Sequence, residues 1–257
     1  MKILTVALQV ELIKLRRTLA FWLMLIAPLS IVGLTVLFDI RLAADVSGAD
    51  RDAWSTLIRD TLGFWVVLML PLFIALESAL LAQLEHGQNM WKHLFALPIP
   101  RWTVYTAKLL ISILIVGMAT VFLFLGVLGA GGLIQALHLR TDFHWGPPDP
   151  SWATALRTTG LVFLLSWGMI ALQTYVSMRW SSFTVTLGVG IMGSIATFIF
   201  VRSLTLAAVL PWLLPFNALD PYIKQGAGLV APLMASSIFT IVLTVLGAWD
   251  LSRKDIL

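Results

Sequence analysis

The chain has 257 residues, of which 59% are hydrophobic and only 12% charged, with no cysteine and a net charge of +4. That composition excludes an ordinary soluble domain, and the missing cysteines exclude disulfides, thiolate metal centres and cysteine nucleophiles. A mean hydropathy of +0.93 points to a polytopic, all-α membrane protein, in which charge matters only through its distribution across the bilayer.

The first segment, Met1–Thr18, is charged but patterned. Leu4, Leu8, Leu12, Leu15 and Leu19 form a stripe at helical spacing, while Gln9, Glu11 and Lys14 fall on other faces. An interfacial helix over residues 3–17 is expected, anchored at the inner leaflet by Glu11, Lys14, Arg16 and Arg17. The first apolar run is followed by no small-residue cleavage signature and reads as a retained span.

Six apolar runs are long enough to cross a hydrocarbon core of roughly 30 Å. They are Leu19–Phe38, Leu62–Leu84, Leu109–Leu133, Leu161–Met178, Phe183–Val201 and Leu229–Trp249. Only Arg179-Trp180-Ser181-Ser182 separates the fourth from the fifth, which predicts a tight antiparallel hairpin. Pro28, Pro71 and Pro232 fall inside runs, and kinks are expected there.

Orientation follows from Lys and Arg near the span ends. With the N-terminus inside, the inner segments hold ten: Lys2, Lys14, Arg16, Arg17, Lys92, Arg101, Lys108, Arg179, Arg253 and Lys254. The outer segments hold seven, dispersed: Arg41, Arg51, Arg59, Arg140, Arg157, Arg202 and Lys224. Both termini are therefore expected in the cytoplasm.

Between the second and third spans lies EHGQNMWKHLFALPIPRWTVYTAK, Glu85–Lys108. Met90, Trp91, Leu94, Phe95 and Leu97 give a helix with one apolar face over residues 85–97. Pro98-Ile99-Pro100 stops it, because the rings remove donors and restrict the preceding residues. A short helix lying across the mouth of two spans suits the receipt of force from a soluble partner.

The outer segments differ in character. Asp39–Thr61 is polar, and His138–Gly160 carries the proline-rich break GPPDPS. Arg202–Gly228 is apolar, too short to span, and punctuated by Pro211, Pro215 and Pro221. A re-entrant or interfacial segment before the sixth span is the expectation.

Little chemistry is encoded. No GxxxxGK[ST] phosphate loop, HExxH or GxSxG occurs, so no catalytic residue is assigned and ATP is not bound here in the P-loop manner. His138, Asp142, His144 and Asp149 can be drawn as a metal site, but four such residues in a proline-broken loop arise readily by chance, and no metal is assigned. Glu77 is the one acid inside a span. An ionisable group at that depth is expensive and faces the bundle interior, a cavity or a partner. It reads as a group on a transport path or as a latch for an inner-side basic residue. Equally open is a carboxylate wetted near the inner end, since Glu85 is about eight residues or roughly 12 Å away. In the fifth span Gly190 and Ser194 have small-xxx-small spacing, which serves a second copy or packing within one chain alike.

These segments together resemble the permease subunits of ABC-2 type transporters, most closely the lantibiotic-immunity type. The residues carrying the resemblance are ELIKLRRT (Glu11–Thr18), the Glu85–Lys108 stretch, PWLLPFNALDP before the last span, and LSRKDIL at the end. The resemblance implies a half-transporter whose loop between spans 2 and 3 is a coupling helix. Glu85, His86, Trp91, Lys92, Leu94, Phe95, Pro98 and Arg101 would then form or support the contact with a separate ATPase. It further implies two ATPase subunits holding the ATP and Mg, a second permease, identical or homologous, and a bacterial inner membrane. The expected cargo is amphipathic or hydrophobic, with no cofactor and no nucleic acid bound by this chain. The chain departs from the immunity type in its richness in Trp, Arg and Ala, so the resemblance bears on class more than on cargo. An ion-coupled secondary transporter, a membrane scaffold or sensor subunit and an intramembrane enzyme are the rival readings. The first predicts inverted repeats and more intramembrane charge, and the last a catalytic pairing; none of these features is found in the sequence.

Overall fold

The computed structural model describes residues 2–15, 18–42, 53–86, 100–139, 152–200, 203–207, 209–219 and 229–253. Among them every regular element is a helix, as apolar surroundings demand of a chain that must satisfy its backbone internally. The elements are α1 (Lys2–Leu15), α2 (Leu19–Leu42), α3 (Ala53–Phe64), a π-helical turn (Trp65–Met69), α4 (Leu70–His86), α5 (Arg101–Ala136), α6 (Trp152–Arg179), α7 (Phe183–Phe200), the single turn α8 (Leu204–Ala207), a 3₁₀ turn (Leu214–Ala218) and α9 (Val230–Arg253). Among the described residues six helices are long and apolar enough to cross a membrane: Leu19–Arg41, Ala53–Leu84, Arg101–Ala136, Ala155–Arg179, Phe183–Phe200 and Val230–Arg253.

Several helices outrun their apolar windows. The stretch Asp39–Thr61, expected as a polar loop, supplies α3 from Ala53 onward, with Ala53, Trp54, Leu57 and Thr61 buried. Arg59 and Asp60 stay on its outer face, so an amphipathic turn extends the second span where average polarity suggests a loop. At the other end α5 begins at Arg101 and not at Leu109, because Pro100 stands at its N-cap and Thr103, Val104, Tyr105, Ala107 and Lys108 are buried against the bundle. Arg16 and Arg17 lie outside the described residues, as do 87–99, which hold Trp91, Lys92, Leu94, Phe95 and Pro98.

The prolines behave differently from one another. Pro28 sits within the unbroken helix α2. Pro71 stands two residues after the π turn, just beyond Leu70, whose N–H reaches back five residues to the Trp65 carbonyl. That wider turn makes room at the point where a proline ring meets the preceding carbonyls. Pro232 is the third residue of α9, in the first turn, where a missing N–H removes no intrahelical bond; the kink expected inside a span has no cause there.

The core lies between α4, α5 and α6, where Ile74, Ile111, Ile115, Leu123, Leu165 and Met169 are fully buried. The helices α2, α7 and α9 surround it and keep Leu34, Leu37, Ile195, Phe198, Ile241 and Val245 exposed, as lipid-facing helices do. The α6–α7 link is tight: Ser182 caps α7 by accepting from the Val185 N–H at 3.4 Å. The Pro-rich segment folds back as short turns, burying Leu213, Leu214 and Pro215, and Asn217 donates to the Ala207 carbonyl at 2.7 Å to hold it shut.

Candidate functional site

The polar side chains collect at one end of the bundle, where α1, the end of α4, the start of α5, the α6–α7 link and the end of α9 meet. The centre of this end is Lys108, two turns into α5 and 2% exposed. Its ammonium donates to Glu11 Oε2 at 3.3 Å and to the Leu81 carbonyl at 3.2 Å. Glu11, itself buried, receives a second cation from Lys14 at 2.9 Å. Burial alone pushes the Glu11 carboxyl up, but the adjacent charge of Lys108, with the bond and charge of Lys14, outweighs it and holds the group below its usual range. Glu11 thus ties α1 to α5 through a buried ion pair, a role that α1's amphipathic stripe does not announce.

Glu77 lies one turn before Leu81 on α4 and is fully buried. Neither of its carboxylate oxygens has a hydrogen-bond partner among the described residues. Ser112 and Lys108 on α5 are the polar groups facing it. Because α4 and α5 run antiparallel, Leu81 stands level with Lys108 and Glu77 level with Ser112. The two levels are four residues apart on each helix, about 6 Å of rise.

Further contacts gather around α9. Arg101, the first residue of α5, donates through Nη1 to the Ser252 carbonyl at 3.1 Å, satisfying an otherwise orphan acceptor in the last turn of α9. Arg179 at the end of α6 pairs with Asp250 at 3.2 Å, and the Arg253 guanidinium lies 4.0 Å over the Trp249 ring. Arg101, expected at a partner contact, is thereby placed where α5 meets α9. Glu85 and His86 end α4. His138 is the left-handed residue that closes α5, with φ of 50°. No group of three metal-ligating side chains occurs among the described residues; Asp142, His144 and Asp149 lie outside them.

The small-residue face of α7 is used within the chain. A methyl at Gly190 would overlap Ala75 and meet Gln173 Nε2 at 2.7 Å, and one at Gly193 would overlap the Trp212 indole. Gly188, in contrast, has open space beside it. It borders an apolar groove of about 490 Å³ lined by Val185, Val189, Met192, Leu210 and Trp212.

Of Glu77, Glu11, Lys14 and Arg101, all conspicuous in the sequence, the structure brings Glu11, Lys14 and Glu77 together around Lys108. The pairing of Lys108 with Glu11, 97 residues apart, leaves no signal in the sequence. Comparison with curated proteins and with solved structures finds no match. A family model described as ABC-2 family transporter protein matches residues 7–197, from within α1 to near the end of α7. With that match over most of the chain and six helices able to span a membrane, the protein is a multi-pass transport protein belonging to the ABC-2 transporter family.

Proposed function

We propose that this chain is the permease subunit of an ATP-driven transporter, working with two separate ATPase subunits and a second permease, identical or homologous. The observation that carries the reading is the family match together with an amphipathic segment bounded by α4 and α5, Glu85–Lys108. Trp91, Leu94 and Phe95 anchor the ATPase, as buried aromatics commonly do at interfaces, with Glu85, His86, Lys92 and Pro98 around them. ATP and Mg belong to the partner. Arg101 passes displacement of that segment on to α5 and, through the Ser252 carbonyl, to α9. The chain sits in the bacterial inner membrane with both termini in the cytoplasm, the side favoured by the count of basic residues.

The cargo is amphipathic or hydrophobic, such as an antimicrobial peptide or a drug-like molecule, moved out of the membrane or cell as in the lantibiotic-immunity permeases. Glu77 is the one acid inside a span, and the groove beside α7 is apolar. The test is a mild-detergent pull-down with the products of genes adjacent to its own, followed by an ATPase assay. An ATPase that co-purifies with wild type and is lost by Trp91→Ala and Leu94→Asp supports the reading. Absence of an ATPase, or binding indifferent to both changes, overturns it.

A further inference from the structure

Lys108 is a buried cation with one carboxylate bound and another within a helical turn. Its ammonium is on Glu11, and the second acid, Glu77, lies one turn deeper with both oxygens unpartnered among the described residues. Two features make Glu11 the carboxylate that can be released. It keeps Lys14 at 2.9 Å when Lys108 leaves, and it belongs to a helix packed on the outside of the bundle, so it moves toward water as α1 lifts. Glu77 has neither option, since it is enclosed between α4 and α5. A lysine stem of four carbons spans the roughly 6 Å between the two levels.

We propose that Lys108 is a two-position latch whose ammonium is shared between Glu11 and Glu77. With Lys108 on Glu11, α1 is docked against α5; with Lys108 on Glu77, α1 is released. Both arrangements keep the buried ammonium paired, and each leaves one carboxylate without it, which is the exchange that a bistable element requires. A small displacement of α5, whose first residues, Arg101 to Lys108, end the Glu85–Lys108 segment, then decides which carboxylate holds the cation. The exchange is a property of this chain alone; its use in coupling rests on the permease reading above.

The absence of cysteine from the chain allows a direct test. Full-length protein with Val6→Cys on the exposed face of α1 and Leu133→Cys at the far end of α5 is spin-labelled in lipid nanodiscs without ATPase or nucleotide. The distance distribution is then read for wild type, Glu77→Gln, Glu11→Gln and the double variant. Glu77→Gln removes the deeper acceptor while keeping its shape, and it touches nothing on α1. The expected result is that Glu11→Gln moves α1 to the released distance and that adding Glu77→Gln shifts the ratio back toward docked by about tenfold. Glu11→Asp, which keeps the charge and shortens the reach, takes the place of Glu11→Gln if that variant does not fold. A distribution indifferent to Glu77→Gln in both backgrounds overturns the latch and leaves Lys108 a fixed bridge. Because no ATPase is present, that outcome leaves the permease reading untouched, and failure of the pull-down leaves the latch untouched.

Discussion

The ring of Tyr105 occupies the notch that Gly247 leaves in α9, and its hydroxyl donates to the Leu243 carbonyl at 3.1 Å. A methyl at residue 247 would overlap the ring itself. Gly247→Ala is therefore expected to lower stability by about 1–3 kcal/mol, the cost of overpacking a close helix crossing. Tyr105→Phe keeps the ring and loses one hydrogen bond, costing about 1 kcal/mol. Thermal unfolding in a fixed detergent separates the two; equal effects would contradict the notch.

Removing Lys108 leaves Glu11 buried with one partner fewer and the Leu81 carbonyl without its donor. Lys108→Met is expected to destabilise by about 3–5 kcal/mol, the range for breaking a buried ion pair from one side. Glu11→Gln added to it returns part of the loss, since the uncompensated charge is gone. The coupling is read from the thermal midpoints of the two single variants and the double.

The carboxyl of Glu11 is held below its usual value of 4.5 by Lys108 and Lys14. A depressed folded value means that the unfolded state binds the proton more readily. The contribution of the Glu11 pair is thus complete above pH 4.5 and is lost as the pH falls through the lower folded value. The part of the α1–α5 label distance that Glu11→Gln removes should be constant over neutral pH and change only on acidification below that point. A change centred at neutral pH would assign the effect to another group.

Gly190 and Gly188 are two residues apart on α7 and make opposite predictions. Gly190→Ala collides with Ala75 and Gln173 and is expected to cost about 1–3 kcal/mol. Gly188→Ala enters open space and gains up to about 1 kcal/mol from helix propensity. The pair of midpoints, measured side by side, tests which face of α7 is turned inward.

His138 closes α5 in the left-handed region, with its N–H on the Gln135 carbonyl and the Leu139 N–H on the Ile134 carbonyl, each at 3.1 Å. This is the pattern in which glycine is favoured. His138→Gly is expected to raise stability by about 1 kcal/mol, the steric cost of a side chain in that conformation. A loss instead would show that the imidazole itself contributes a contact.

The six membrane helices were legible because roughly 20 apolar residues in a row leave the backbone no alternative to a helix. Their true lengths were not, since the apolar window ends where lipid ends while the helix continues through Arg59 or Tyr105 for reasons of packing. The glycines of α7 announced close approach but not its partner. Gly190 meets Ala75, and Gly193 meets Trp212, pairings set by tertiary structure alone. At the polar end, Glu77 was visible as the one acid inside a span and Glu11 as part of an inner-leaflet anchor. Their relation to Lys108 was not, because it depends on which level of α4 faces which level of α5.

The π turn at Trp65–Met69 bears on that same relation. One extra residue accommodated in a helix rotates everything after it by about 100° relative to an uninterrupted α-helix. The side that carries Trp54 and Leu57 into the core and the side that carries Glu77 toward Lys108 therefore belong to different angular phases of one continuous rod. No single helical wheel drawn over residues 53–84 can place both correctly. Forcing the same residues into an uninterrupted α-helix would leave composition and hydropathy unchanged, yet would swing Glu77 off the α5 interface by more than a quarter turn.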